Sequence, residues 1–183
     1  MRRGGVPWHC AVVLVRRELP QDVADIRAVT AAAFARAGEG VPAEAPLVDR
    51  LRACPAWIPE LALVAASPAG DIIGHVVCTR GTVEAAPVLA LGPLSVRPDW
   101  QRRGVGQALV HAVLGAGDAL GEPLVALLGW TEYYPRFGFR PSSEYGITPK
   151  HPEWRPHFQV RTLTGYDPAV RGEFAYPEPF DRL

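Results

Sequence analysis

Net charge, lysine and long apolar runs are all scarce in this 183-residue chain. Basic and acidic residues number 19 each, so the formal charge cancels and no overall field draws in nucleic acid or an anionic membrane. Lysine occurs once, at Lys150; the other basic residues are arginines, and pairs such as Arg2–Arg3 and Arg16–Arg17 read as solvated surface. No aromatic-and-basic interleaving suggests a nucleic-acid groove. Cys10, Cys54 and Cys78 are an odd number without C-x-x-C spacing, which argues against a disulfide framework or a zinc site. His9 beside Cys10, and His151 six residues before His157, lack partners at ligand spacing, so no metal is expected. No stretch approaches the ~18 apolar residues of a membrane span, and "AVVLV" after Arg2–Arg3 is too short for an export signal. The expectation is a soluble cytoplasmic protein with reduced thiols.

What is present is globular. Hydrophobic residues make up 48% and charged residues 21% of the chain, enough to bury a core. No repeat or low-complexity linker divides it. Residues 1–183 are expected to form one domain, with 1–10 disordered and 165–183 as a C-terminal extension.

Periodicity orders the elements. "AVVLVR" (Ala11–Arg16) reads as a β-branched strand. Pro20 at a first helical position and apolar residues at helical spacing predict a helix over Pro20–Ala37. A second helix is expected over Glu44–Ala53, and the two prolines of "CPAWIPE" read as a break. "LALVAAS", "PAGD" and "IIGHVVC" predict strand, turn and strand. "PVLALGPLSV" is a further strand whose Gly92–Pro93 must be bulged or unpartnered, since proline cannot donate to a ladder. A helix from Val105 to about Leu120 follows, then a buried strand, "PLVALLG", and a last strand in "HFQVRTLT". The tail "FAYPEPFDRL" reads as a strand or an ordered extension. Hairpins followed by a strand–helix–strand crossover predict a mixed sheet covered by helices.

The informative stretch is "SVRPDWQRRGVGQALV". Glycine in a helix costs ~1 kcal/mol against alanine, yet Gly104 and Gly106 stand where this helix opens. A helix N-terminus offers unpaired N–H groups and a positive dipole end, a natural phosphate site. Glycines admit an anion to those amides, and Arg102 and Arg103 add charge. A plain helix start with solvated arginines is the alternative. The loop is neither a Walker A sequence, having no following Lys, nor a dinucleotide fingerprint, since Leu109 fills the third glycine position. A short [QR]-x-x-G-x-[GA] loop is left, filled by Gln101, Gly104 and Gly106.

"GPLSVRPDWQRRGVGQALV", followed about 25 residues on by "YYPRFGFR", resembles motif A and the tyrosine-bearing segment of the GNAT superfamily of acyl-CoA-dependent N-acetyltransferases. The "LVA…G…IIGHV" hairpin, the "LGPLSV" strand and the "YPEPFD" tail are most similar to the small bacterial YhbS-like members, over roughly Ala11 to Asp181. The resemblance implies an α/β (α+β) fold with a mixed, mostly antiparallel central sheet splayed between two central strands and flanked by helices. It implies acetyl-CoA as cosubstrate, its pyrophosphate held by Gln101, Arg102, Arg103, Gly104, Val105, Gly106 and Gln107. Pantetheine would pair with the strand around Leu94, Ser95 and Val96, with Leu94 and Val96 as main-chain partners. An amide of that strand would polarise the thioester carbonyl.

Tyr134, four residues before Gly138, matches the position of the tyrosine acid in many relatives. A phenol of pKa ~10 stays protonated at neutral pH and suits protonation of the leaving thiolate. Packing beside Phe137 and Phe139 is the alternative role, and Tyr133 stays open as a substitute. Several relatives carry a glutamate base where this chain has Ala90; a water chain, a substrate amine already partly neutral, or Glu84, Glu132 or His75 are the substitutes, with a hydrogen-bonded core role as the alternative for His75. Trp57 and Ile58, and Trp154, His157 and Phe158, flank the expected acceptor side or simply pack. The implied reaction is direct acetyl transfer to a primary amine of a small molecule or protein. A non-catalytic acyl-CoA-binding regulatory module is the alternative, and the resemblance leaves a homodimer open.

Overall fold

The computed structural model describes residues 13–38 and 40–182. The expected disordered segment 1–10, with His9 and Cys10, and the start of the first expected strand lie outside the described residues. Strand β1 (Leu14–Arg17) leads through Leu19 into a single 3-10 turn, Pro20–Asp22, and then α1 (Val23–Phe34). Pro20 lacks the N–H that a helix start leaves unpaired. Asp22 accepts the Leu19 amide at 2.8 Å and pairs with Arg16 at 2.6 Å, fixing the entry. The helix stops at Phe34 rather than Ala37, because Ala35 turns extended with ψ 132°.

Helix α2 (Glu44–Arg52) buries Ala45, Leu47, Val48 and Leu51. Strand β2 (Trp57–Ala66) begins earlier than the prolines of "CPAWIPE" suggest. Trp57 pairs with Thr79 and the next registered pair is Ala62 with Val77. Pro59 therefore lies in an irregular stretch that asks no ladder donor of it. Strands β3 (Ile72–Val83) and β4 (Ala86–Val96) follow as a long hairpin. Registry passes from Cys78 with Leu91 to Val76 with Leu94, so β4 carries one extra residue at Gly92–Pro93, the expected bulge.

Helix α3 (Val105–Ala119) crosses the sheet to β5 (Leu124–Leu128), which lies parallel to β4. Short β6 (Arg140–Pro141) and β7 (Ile147–Pro149) precede β8 (Phe158–Thr162) and β9 (Gly172–Ala175). The nine strands described form one sheet in the order β1-β2-β3-β4-β5-β8-β6, with β9 bridging β3 and β7. Only β4–β5 and β7–β9 are parallel.

Strand alternation separates two cores. Ile73, Val76, Cys78, Leu89, Leu91, Val125 and Leu127 face α3, with Leu109, Val110 and Val113. On the opposite face, α1 and α2 cover β2 and β3 through Ile26, Val29, Leu47 and Leu51. The C-terminal segment covers β4, β5 and β8 there through Phe174 against Val88, Ala126 and Phe158. No helix among the described residues is long and apolar enough to cross a membrane.

Candidate active site

The sheet parts at its centre. Strands β4 and β5 pair at Leu89 with Val125 and at Ala90 with Ala126, and no further pair follows, although β4 runs to Val96 and β5 to Leu128. The Arg97 amide bonds the Ile73 carbonyl at 2.8 Å. Alternation then turns the main chains of Ser95 and Arg97 toward β3, and those of Leu94 and Val96 toward the gap. The Val96 carbonyl accepts the Gln101 side-chain amide at 3.1 Å. Edge groups of this kind need partners from elsewhere.

Leu94 and Val96 are half-buried on the α3 side of this gap, but the Ser95 side chain is buried on the other face, 3.2 Å from the Thr30 hydroxyl. Ser95 is thus available to a ligand in the gap by neither side chain nor main chain. Its place among the implied pantetheine contacts is at most that of a spacer.

Beyond Val96 the loop makes one 3-10 turn at Pro98–Trp100 and then departs from ordinary backbone geometry. Arg102 has φ +58° and Gly104 has φ +85°. A non-glycine residue at positive φ is uncommon and tends to persist where function requires the backbone shape. A Cβ at Gly104 would meet nothing within 4 Å, so this glycine is required by its conformation and the space beyond it is open. The first helical bond joins the Ala108 amide to the Gly104 carbonyl at 2.9 Å. The amides of Val105, Gly106 and Gln107 consequently have no acceptor within α3, and Gly104 supplies no side-chain cap. Arg102 and Arg103 are exposed and have no carboxylate at salt-bridge distance among the described residues; the Arg103 guanidinium lies 5.5 Å over the Trp100 ring. Val105 is buried and offers the loop only its amide.

Gly106 meets a further constraint that the sequence does not show. A Cβ there would come within 2.8 Å of the Tyr133 hydroxyl, so the glycine admits a phenol to the opening of α3. Tyr133 is held by Arg136, 4.9 Å over its ring, and by Phe137 at 5.3 Å. Tyr134 packs instead into the core on the α3 side. Its ring is edge-on to Phe139 at 5.6 Å and lies directly against Gly129 at the end of β5. Burial pushes the Tyr134 phenol well above its ordinary value, with Tyr133 and Cys78 adding to the shift. It stays protonated through neutral pH.

The candidate bases are not brought here. Glu84 sits in the β3–β4 turn, where its carboxylate accepts the Glu173 amide at 2.8 Å. His75 is fully buried on the α1–α2 side, with Nε2 3.1 Å from Glu18. Glu132 is exposed beyond β5, and Ala90 is fully buried. Among the described residues no three His, Cys, Asp or Glu side chains gather as a metal would require.

The geometry is thus a sheet parted between β4 and β5, an uncapped helix start beyond the end of β4, and a buried, protonated phenol in the core on the α3 face. Residues 59–141 match the model for the acetyltransferase (GNAT) domain. The chain is 31% identical to the N-acetyltransferase YjhQ of Escherichia coli over 166 residues, covering 86% of this chain and 88% of that one. It is 30% identical to the N-acetyltransferase YhbS of the same species, covering 93% of this chain and all of that one. The crystal structure of Escherichia coli YhbS in complex with CoA superposes with a TM-score of 0.85 at 29% identity, covering 99% and 97% of the two chains. A GNAT family acetyltransferase from Brucella melitensis in complex with acetyl-CoA gives 0.76 at 33% identity, covering 93% and 99%. The chain belongs to the GNAT family of N-acetyltransferases.

Proposed function

We propose that this N-acetyltransferase, acting as a single domain over 1–183 in the cytoplasm, binds acetyl-CoA in the β4–β5 gap and transfers its acetyl group directly to a primary amine. The observation that carries the reading is the parting of β4 from β5 after Ala90 and Ala126, which turns the main chains of Leu94 and Val96 to an open side. An extended, amide-bearing pantetheine can serve there as the missing strand. The amides of Val105, Gly106 and Gln107, with Arg102 and Arg103 beside them, take the pyrophosphate. Gln101 holds the loop to the strand end through the Val96 carbonyl. Cytoplasmic location fits the free thiols of Cys54 and Cys78.

In the transfer step the amine nitrogen attacks the thioester carbonyl carbon, and a C–N bond replaces the C–S bond. Main-chain N–H groups of the gap-facing edge of β4 stabilise the oxyanion. Tyr134 gives its proton to the departing sulfur, a role for which a phenol held neutral by burial is suited. No carboxylate base is required of Ala90 when the amine arrives neutral and sheds its proton to water.

Tyr134→Phe tests the reading. Turnover should fall about tenfold to a hundredfold, since a thiol is already a fair leaving group, while CoA affinity stays unchanged. Unchanged turnover would remove Tyr134 from the chemistry. Binding of acetyl-CoA without transfer to any amine would favour the regulatory-module reading, to which the alanine at position 90 lends support.

A further inference from the structure

A buried hydroxyl at the root of the fork has no part in the steps above. Where β4 and β5 last pair, Trp57 on β2, Thr79 on β3, Ala90 on β4 and Ala126 on β5 stand side by side across the sheet. Alternation along β3 puts Thr79 on the face of Val77, opposite α3. Ala90 and Ala126 belong to the core on that same side. Thr79 is fully buried, and its Oγ1 has no hydrogen-bond partner among the described residues. Such a hydroxyl weighs against folding, because its bond to water is lost and not replaced.

The row is small at its centre and aromatic at its border. Ala90 and Ala126 offer only methyl groups beside Thr79. The half-buried rings of Trp57 and Phe180 pack on the same side, and Phe180 approaches β4 at Gly92, where a Cβ would lie 3.9 Å from its ring. Carboxylates of the α1–α2 face are already engaged: Glu18 with Arg52 and His75, Asp49 with Arg52 and Arg27.

In the acetyl-transfer reading the pyrophosphate lies beyond Val96, at the start of α3, and pantetheine pairs with Val96 and then Leu94. The arm therefore runs back along β4 toward Gly92 and carries the thioester to the root of the fork, next to Ala90. Tyr134 lies in the core on the α3 side, which leaves the opposite face, that of Thr79, to the amine. Opposed residues on neighbouring strands have Cβ atoms about 5 Å apart, so one water over the Ala90 methyl can bridge the Thr79 hydroxyl and the nitrogen.

We propose that Thr79 is a positioning residue of the transfer: its hydroxyl holds, over Ala90, the water that takes the surplus proton of the attacking amine. A hydroxyl oxygen has two acceptor positions. Thr79 accepts one O–H of the water, which turns a lone pair of that water toward the amine N–H. The C–N bond forms and the C–S bond breaks. The nitrogen's proton passes to the water and on to solvent, the sulfur takes the Tyr134 proton, and solvent restores Tyr134. Thr79 keeps its own proton throughout. The assignment rests on the acetyl-transfer reading and names the residue that holds the water this reading requires.

Thr79→Val and Thr79→Ser, compared with the unaltered enzyme, test the assignment with hydroxylamine as the amine probe. Valine keeps the branched shape and removes the hydroxyl; serine keeps the hydroxyl. Thr79→Val should lower kcat about tenfold or more, while KM for acetyl-CoA stays within about twofold. Its Tm should equal or exceed that of the unaltered protein, since an unpaired buried hydroxyl is gone. Thr79→Ser should keep kcat within about threefold. Unchanged kcat in Thr79→Val, a kcat as low in Thr79→Ser as in Thr79→Val, or a Tm that falls together with kcat in Thr79→Val would overturn the proposal. An unaltered protein that binds no acetyl-CoA, or binds it without accelerating acetyl transfer to hydroxylamine, would overturn the underlying reading and the proposal with it.

Discussion

Gly129 lies flush against Tyr134: a Cβ on the glycine would clash with the Cε2 and Cδ2 edge of the phenol ring, with Leu127 3.0 Å away. The residue directly after β5 therefore sets where the proposed acid stands. Gly129→Ala should displace Tyr134 and reduce turnover about as much as Tyr134→Phe, roughly tenfold to a hundredfold. CoA affinity should be preserved, since the α3 loop is untouched. Steady-state kinetics beside a binding titration checks this, and an active Gly129→Ala enzyme would show that the ring position does not matter.

Gly106 and Tyr133 form a similar pair at the opening of α3. Gly106→Ala gains about 1 kcal/mol of helix propensity but meets the Tyr133 hydroxyl. Tyr133→Phe removes that hydroxyl and keeps the ring beside Arg136 and Phe137. The double variant should be more stable than the sum of the single changes predicts, by about 0.5 kcal/mol or more. Denaturant unfolding of the four proteins measures the coupling directly.

A buried polar cluster on the α1–α2 face sets a pH dependence of stability. Burial lowers the His75 pKa, only partly opposed by Glu18, and Nδ1 of the ring has no hydrogen-bond partner among the described residues. Burial alone would raise Glu18, but hydrogen bonds from His75 and Arg52 outweigh it and hold the carboxyl below its usual range. An unfolded histidine takes up a proton near pH ~6.5 while the folded one resists. Stability is therefore lost as pH falls below that value toward the lowered folded pKa. Glu18 contributes above its ordinary carboxylate range, and its share is lost at lower pH still. The Tm should fall between pH 7 and pH 5, and His75→Gln should flatten that slope. An identical slope in the variant would place the dependence elsewhere.

Much of this was legible in the chain. Pro20 marked the start of the first helix, the Gly92–Pro93 interruption marked the bulge, and Gln101–Gln107 marked the loop, because each depends on local backbone chemistry. The rest depended on tertiary placement. Pro59 argued against a strand that exists because its ladder skips that proline. Ser95 looked equivalent to its neighbours until the register turned its side chain to Thr30. Gly106 is also constrained by a tyrosine distant in sequence, a neighbour that local chemistry does not reveal. Tyr176 gives no periodic signal in its proline-rich surroundings; only the return of the C-terminal segment packs it against Phe158 and Phe174.

The most direct measurement is calorimetric titration of the protein and of Gly104→Asp and Gly104→Asn with acetyl-CoA. Aspartate and asparagine tolerate positive φ better than other side chains, and nothing lies within 4 Å of the new Cβ, so both variants should fold. Binding should be saturable for the unaltered protein and for Gly104→Asn, and lost in Gly104→Asp, whose carboxylate opposes the pyrophosphate. Binding by Gly104→Asp as tight as by Gly104→Asn, or no binding by the unaltered protein, would contradict an acetyl-CoA site there.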